Sequence, residues 1–300
     1  MLEQAREGID YAALKKGGFM RQAQNGKFSM RLKVTGGQIS CKQLEAICKA
    51  AKKYGKEYVH LTSRQGLEVP FIDVKDVETV KKELTEAGAP IGVCGPRVRT
   101  VTACQGNAVC PSAAIETSCL AAELDERYFG MELPHKFKIG ITGCKNNCLK
   151  AEENDLGIKG CIIPEWSKGA CTFCGVCEAV CAYDAVKVDA EKENLLFDKK
   201  NCTYCGKCIK SCPSDAWLGS NGYLLSFGGM FGNEIKKGMY LLPVIFEKER
   251  VLEVVDAAIR FYQDNGRAGE RFGKTLERTG EGGSLAEKLK AVCLESGGSV

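Results

Sequence analysis

The spacing of the cysteines constrains this chain more than any other feature of its sequence. Eighteen of the 300 residues are cysteine, and eight of these fall in two runs that each follow the pattern C-x2-C-x2-C-x3-C. The runs are Cys171, Cys174, Cys177 and Cys181, and then Cys202, Cys205, Cys208 and Cys212. Two intervening residues allow consecutive thiolates to point at one centre, so both runs predict metal-bound thiolates rather than disulfides.

The metal in these runs can be zinc or iron, because zinc also takes four thiolates. Zinc ligands usually come as separated pairs, whereas unbroken runs of four are typical of bacterial ferredoxins with two [4Fe–4S] clusters. In such ferredoxins the fourth cysteine of each run serves the other cluster, so we expect Cys212 to complete the first and Cys181 the second. Pro213 follows Cys212 as in that pattern, whereas Ala182 follows Cys181.

Four further cysteines form two shorter pairs. Cys104 and Cys110 lie in TACQGNAVC, and Cys144 and Cys148 lie in TGCKNNC, directly after the alternating segment KFKIGI. Pairs of this kind alone are weak signals and also fit buried free thiols. Their surroundings are what give them significance.

With these surroundings, the chain resembles the sulfite and nitrite reductases that contain sirohaem coupled to a [4Fe–4S] cluster. Family members carry the segments T-A-C-x5-C, K-F-K, T-G-C-x-N-x-C and L-G-I-x-G, which match residues 102–110, 136–138, 142–148 and 156–160 here. The upstream strands of the family match FSMRLKVTGG (28–37) and HLTSRQGLEV (60–69). With its ferredoxin-type run, the chain is most similar to the catalytic C subunit of anaerobic sulfite reductase and to sulfite reductase-like proteins of anaerobes.

The resemblance implies two cofactors of the catalytic domain and their ligands. A third [4Fe–4S] cluster would be held by Cys104, Cys110, Cys144 and Cys148. Cys148 would also bridge to the sirohaem iron. Sirohaem bears eight carboxylates, for which Arg64 is the family's binding position and Arg97 a second candidate.

The resemblance also implies four cations that bind the oxyanion substrate, namely Arg31, Arg99, Lys136 and Lys138. Lys136 and Lys138 stand two apart on a predicted strand, so both face the same side. Clustered cations stabilise charge that develops on oxygen, and they lower one another's pKa toward the range of a proton donor. A second basic run, GRAGERFGKTLERTG (266–280), fits either a sirohaem or partner surface or a solvated helix face.

The predicted fold is α+β in three parts. Residues 1–90 would form a nitrite/sulfite reductase ferredoxin-like half domain, residues 91–167 and 218–300 a sirohaem and [4Fe–4S] catalytic domain, and residues 168–217 an inserted bacterial-type 2[4Fe–4S] ferredoxin domain. Alternation predicts strands over 27–34, 58–62, 136–142 and 240–246. Helical spacing predicts helices over 41–54, 74–87, 112–124 and 251–262, the first with Leu44, Ile47, Cys48 and Ala51 on its apolar face.

The remaining features favour a cytoplasmic enzyme. The first ten residues contain no apolar signal segment, and the apolar runs are too short to span a membrane. Cysteines at ligand spacing fit a reducing compartment, and a net charge of +4 gives no argument for nucleic acid.

The expected function is that of a sulfite reductase catalytic subunit, which reduces sulfite to sulfide in six one-electron steps. Two alternatives stay open: a sirohaem nitrite reductase that forms ammonia, and a non-catalytic sirohaem and iron–sulfur electron-transfer protein. Electrons would come from an external donor, either ferredoxin or partner subunits. Because the larger family members contain two pseudo-symmetric halves, we expect a homo-oligomer or a complex with partner subunits.

Overall fold

A computed structural model of the chain describes residues 9–280 and 282–295. Its first unit is a four-stranded antiparallel sheet in the order β1-β2-β4-β3 with helices packed against it. The elements in chain order are α1 (Tyr11–Lys16), β1 (Phe19–Arg21), β2 (Lys27–Arg31), α2 (Cys41–Tyr54), β3 (His60–Leu61), β4 (Leu67–Asp73) and α3 (Val77–Glu86). Side chains alternate along β2, so Phe28 and Met30 are buried against Ile47 and Val69.

The second unit begins with three parallel strands, and segments that lead into two of them contribute to the candidate site. The elements are β5 (Thr102–Ala103), α4 (Ser118–Tyr128), β6 (Ile139–Thr142) and β7 (Leu156–Trp166). The predicted strand at 136–142 is therefore shorter than expected, although Phe137 still forms a parallel bridge with Val98. The predicted helix at 112–124 begins only at Ser118.

A small unit lies between the end of β7 and the next long strand. It contains α5 (Val176–Ala179), the hairpin of β8 (Val186–Asp189) and β9 (Asn194–Phe197), and α6 (Lys207–Lys210). Cys177, Val186, Leu195 and Trp217 form its own buried cluster. Residues 167–216 thus form a compact insert within the second unit.

After the insert the chain returns to the five-stranded sheet, whose order is β11-β10-β7-β6-β5. The elements are β10 (Trp217–Phe227), β11 (Met239–Tyr240), α7 (Lys248–Asn265), α8 (Phe272–Arg278) and α9 (Gly283–Glu295). Strand β10 pairs with β7 along its whole length, from Trp217 opposite Trp166 to Phe227 opposite Leu156. Helix α7 buries the apolar face that its sequence predicted.

One expectation for this part of the chain was wrong, and one strand was not predicted. The strand predicted over 240–246 is reduced to β11 and a single bridge between Ile245 and Tyr223. The glycine-rich sequence after residue 217 gave no strand signal, yet it forms β10. Glycine is required there because a Cβ on Gly222 would lie 2.4 Å from Val244 Cγ1.

In the described ranges, no helix has the length and hydropathy needed to cross a membrane.

Candidate active site

Five cationic side chains meet in one cavity between the first and second units. The cavity encloses about 260 Å³ and is open on one side. The cations that line it are Arg31, Arg64, Arg99, Lys136 and Lys138. All four predicted substrate-binding cations are therefore brought together, along with the arginine predicted to bind a sirohaem carboxylate.

The two arginines predicted to bind substrate are held by the segment around Cys94. Arg31 donates from Nε to Glu68 Oε1 at 2.6 Å and from one terminal nitrogen to the Cys94 Sγ at 3.0 Å. Arg99 donates to the carbonyl oxygens of Val93 and Gly95 at 3.1 and 3.2 Å. Of these partners only Glu68 is a carboxylate, so most of the positive charge in the cavity remains available to an anion.

Arg64 enters the cavity from a loop between β3 and β4. Its guanidinium donates to Asn154 Oδ1 at 2.9 Å and to the Thr100 carbonyl at 3.2 Å, both of which are neutral acceptors. Burial lowers the pKa of Arg64 to about 10. A buried guanidinium without a carboxylate partner among the described residues is suited to an anionic ligand.

Arg97, the second predicted sirohaem contact, does not line the cavity. It donates to Glu132 Oε1 at 2.8 Å. The Nε atoms of Arg97 and Arg99 are both buried and have no hydrogen-bond partner among the described residues. Orphaned guanidinium nitrogens of this kind fit a ligand that carries several carboxylates.

Lys136 and Lys138 lie immediately before β6, on either side of the buried Phe137. Both line the cavity, so the prediction that they face the same side is confirmed. Burial lowers the pKa of Lys138 to about 8, with further lowering by the charges of Arg64 and Arg271. Burial also lowers the pKa of Lys136, and the charges of Arg271 and Arg99 lower it further.

Two residues of this region were missed by the sequence interpretation, namely Asp155 and Arg271. Asp155 is fully buried, and both its carboxylate oxygens lie 2.9 Å from one terminal nitrogen of Arg271. Asp155 also accepts the backbone N–H of Lys138 at 3.0 Å. Of the basic run at 266–280, Arg271 is therefore not on a solvated face, and the signal for it was the aspartate directly before the L-G-I-x-G segment.

The four cysteines of the shorter pairs lie at the opposite ends of the same strands. Cys104 follows β5 and Cys144 follows β6, whereas Arg99 and Lys138 precede these strands. The Cys104 Sγ accepts the backbone N–H of Gly143 at 3.0 Å. The pKa of Cys144 is raised, mainly by burial, and also by Cys110, Cys148 and Cys104, so these four thiols are neighbours.

The cysteines of the insert lie in two loops with closely similar backbones. Phe173 and Tyr204, each two residues after the first cysteine of its run, both have positive φ, 52° and 55°. Their amides point at the sulfurs of Cys171 and Cys202 at 3.4 Å, and the Ala185 amide at that of Cys181 at 3.3 Å. Amide donors aimed at sulfur are typical of thiolates that bind iron–sulfur clusters.

The arrangement of these cysteines argues against single-ion sites. Around one zinc ion, thiolate sulfurs at 2.3 Å from the metal are only about 3.8 Å from one another. Across residues 9–280 and 282–295, no group of three or more His, Cys, Asp or Glu side chains is arranged to hold one metal ion. Among the described residues, no site for a single metal ion is therefore preformed.

Comparison with known families identifies the class of protein. Residues 20–87 match the nitrite/sulfite reductase ferredoxin-like half domain, and residues 94–292 match the nitrite and sulphite reductase 4Fe-4S domain. The chain belongs to the nitrite and sulphite reductase family. The resemblance inferred from the sequence is confirmed, and with it membership of a class of iron–sulfur oxidoreductases.

Individual members of the nitrite and sulphite reductase family share this organisation. The chain is 30% identical over 293 residues to the coenzyme F420-dependent sulfite reductase of Methanocaldococcus jannaschii, a match that covers 95% of this chain and 46% of that protein. It is 30% identical over 175 residues to the C subunit of the anaerobic sulfite reductase of Salmonella typhimurium, covering 54% and 51%. The chain therefore spans about half the length of these relatives.

A solved structure supports the fold. The crystal structure of dissimilatory sulfite reductase I matches with a TM-score of 0.70 at 22% identity, over 91% of this chain and 70% of that one. The predicted combination of a ferredoxin-like half domain with a 4Fe–4S reductase domain is thus confirmed.

Proposed function

We propose that the chain is the catalytic subunit of a sulfite reductase, in which sulfite is reduced to sulfide at sirohaem coupled to a [4Fe–4S] cluster. The observation that carries this proposal is the convergence of Arg31, Arg99, Lys136 and Lys138 on one cavity. Sulfite is a small dianion that must lose three oxygens as water. Such chemistry requires concentrated positive charge and proton donors at one place.

The residues present fit the two cofactors. Cys104, Cys110, Cys144 and Cys148 would hold the cluster, with Cys148, which is exposed, as the thiolate shared with sirohaem. Arg64 and Arg97, the latter with an Nε atom that has no hydrogen-bond partner among the described residues, would bind sirohaem carboxylates. When bound, these groups supply the iron that binds the sulfur of the substrate and the electrons that reduce it.

The chain's own residues supply anion binding and protons. Arg31 and Arg99 are permanently charged, so they would hold the oxyanion at every pH at which the protein folds. Lys138, whose pKa is lowered to about 8, loses its proton more readily than an ordinary lysine. It would donate from Nζ to an oxygen that leaves as water, and Lys136 would serve a second oxygen in the same way.

The inserted unit would deliver the electrons. We assign residues 168–217 as a ferredoxin domain with two [4Fe–4S] clusters, one held by Cys171, Cys174, Cys177 and Cys212, and the other by Cys202, Cys205, Cys208 and Cys181. This makes three clusters in the chain. The original electron donor would be a separate ferredoxin or a partner subunit, in a homo-oligomer or hetero-complex. The thiolate sites also favour a reducing, cytoplasmic location.

Steady-state turnover of the purified holoprotein tests the function. With a strong one-electron reductant, we expect sulfite to be reduced to sulfide more efficiently than nitrite is reduced to ammonia. A higher kcat/KM for nitrite would favour the nitrite reductase alternative, which uses the same cations. Full loading with sirohaem and no turnover of either anion would show a non-catalytic electron-transfer protein.

A further inference from the structure

The two cysteine loops of the insert are alike in themselves but differ in what surrounds them. Each contains a residue with left-handed backbone, Phe173 or Tyr204, whose amide contacts the sulfur of the first cysteine of its run. Each then leads through a glycine of positive φ, Gly175 or Gly206, into a four-residue helix. Any functional difference between them must therefore come from their neighbours.

The second loop lies directly against the reductase sheet. The backbone N–H of Ile162, in β7, donates to the Tyr204 carbonyl at 2.9 Å, and Ile162 forms a parallel bridge with Cys205. A Cβ on Gly206 would lie 2.6 Å from Ile162 Cδ1. This part of β7 lies opposite the turn that carries Cys144, because Thr142 pairs with Lys159.

Two lysines connect the same group of cysteines to the four-cysteine site of the reductase unit. Lys145, which follows Cys144, places Nζ 3.6 Å from the centre of the Tyr183 ring, two residues after Cys181. Lys210, two residues after Cys208, donates from Nζ to the Pro111 carbonyl at 2.5 Å, and Pro111 follows Cys110. The insert thus contacts a residue next to each cysteine pair of the reductase site, namely Lys145 after Cys144 and Pro111 after Cys110.

The first loop lies beyond the far end of β7. It follows Trp166, whose ring packs edge-on to that of Phe173 at 6.3 Å. Cys174 is exposed, and the nearby cation is Lys168, with Nζ 6.0 Å from the Phe173 ring centre. Lys168 is therefore the counterpart of Lys145, because each is a lysine over an aromatic ring close to a cysteine, Phe173 near Cys171 and Tyr183 near Cys181.

We propose that Cys181, Cys202, Cys205 and Cys208 hold the inner of the two electron-transfer centres, and that Lys145 tunes it. The proposal rests on the proposed cluster ligands. One electron from a low-potential one-electron donor enters at Cys171, Cys174, Cys177 and Cys212, which form the outer centre. It then passes to the inner centre and on to the centre at Cys104, Cys110, Cys144 and Cys148, and each donor is oxidised as its acceptor is reduced.

Redox titration of the holoprotein, monitored by electron paramagnetic resonance with dithionite as the reductant, tests this order. A nearby positive charge stabilises the reduced and more negative form of a centre, so its removal lowers the midpoint potential. We expect K145Q to lower the potential of the centre whose signal is altered in C205S. The matched variant K168Q should lower the midpoint potential of the centre whose signal is altered in C174S.

Magnetic coupling between centres gives a second readout that does not depend on either lysine. In the fully reduced protein, C205S should narrow the electron paramagnetic resonance signal of the centre at Cys104, Cys110, Cys144 and Cys148. The reason is that the substitution perturbs the inner centre, which lies closest to that centre and couples to it magnetically. C174S should leave that signal unchanged. The reverse result, or a K145Q shift confined to the Cys174 centre, would overturn the assignment.

The outcome is separable from that of the proposed function, because the potentials are measured without substrate. If the potentials shift as expected and neither anion is turned over, the electron-transfer order stands and the reductase function fails. If sulfite turns over normally and K145Q leaves the potential of the Cys205 centre unchanged, the order fails and the function stands.

Discussion

The chemistry expected in the cavity depends on individual ionised side chains, of which Asp155 and Lys138 are the two most important. Asp155 is the buried anion that binds Arg271 and fixes the backbone of Lys138. Lys138 is a half-buried cation near Arg64, Arg271 and Lys136, with Asp155 as the opposing charge. The resulting field makes Lys138 a better acid than a lysine in water.

Replacing Lys138 with arginine should separate anion binding from proton donation. Wild-type turnover should fall as the pH rises through about 8, because only protonated Lys138 donates. In K138R the guanidinium stays charged, so KM should change little while kcat falls on the order of 10²-fold and this alkaline decline disappears. The pH dependence of kcat and KM measures both effects. The exposed-site variant K192R should behave as wild type, and an unchanged kcat in K138R would contradict the role.

Replacing Asp155 with asparagine should destabilise the fold. The substitution leaves the Arg271 guanidinium buried without its counter-ion, which costs about 3–5 kcal/mol of unfolding free energy. Denaturant unfolding of the apoprotein measures this cost. The exposed pair of Lys187 and Asp184 is the control, because D184N should cost at most about 1 kcal/mol. Equal effects of the two variants would show that the Asp155 pair is not a buried ionic contact.

At the level of helices and strands, hydrophobic periodicity in the sequence predicted most of the elements that have a clear periodic pattern. Helix α2 spans Cys41–Tyr54 as expected and buries Ile47 and Ala51 as predicted, together with Ala50. Leu44 and Cys48, predicted on the same face, are exposed. The twelve candidate cysteine ligands follow from motif spacing and the four candidate substrate cations from the family resemblance, and the structure brings those cations to one cavity. Asp155 and Arg271 were missed, since a contact between residues 116 apart in the chain leaves no local pattern. Strand β10 was missed because its glycines serve close packing and weaken the strand signal.

Close packing of β7 against the cysteine turn predicts a sensitive position at Gly160. A Cβ there would lie 2.3 Å from the Gly143 carbonyl oxygen and 2.8 Å from Ile115 Cγ1. G160A should therefore displace the turn before Cys144, cost about 1–3 kcal/mol and reduce loading of the cluster. Iron content and thermal unfolding measure these effects. At Gly169 a Cβ has no neighbour within 4 Å, so G169A should match wild type, and equal iron loading in both would refute the packing argument.

At the scale of the whole molecule, the insert joins the reductase unit at two directly paired residues. Trp166 faces Trp217 at the end of an unbroken antiparallel ladder. A hairpin can be closed at such a position with a two-residue Asn-Gly turn.

Replacing residues 167–216 with that turn should remove two clusters and leave the third. On the proposed assignment, three four-iron clusters and the sirohaem iron give thirteen irons per chain, so the variant should retain five, together with the sirohaem absorption band. Iron and acid-labile sulfide analysis measure the change, with the intact chain as the reference. Retention of more than five irons would place cluster ligands outside the insert, and loss of sirohaem would show that the insert helps to form its site.

The ladder between β7 and β10 also bears on how such proteins diversify between lineages. Recombination that introduces or exchanges a coding segment between Trp166 and Trp217 leaves the β7–β10 ladder unchanged, because both ends of the segment meet at one rung of that ladder. A lineage that acquires a new donor could therefore adopt a different insert at this position. The anion cavity, lined by residues outside the insert, would be inherited intact.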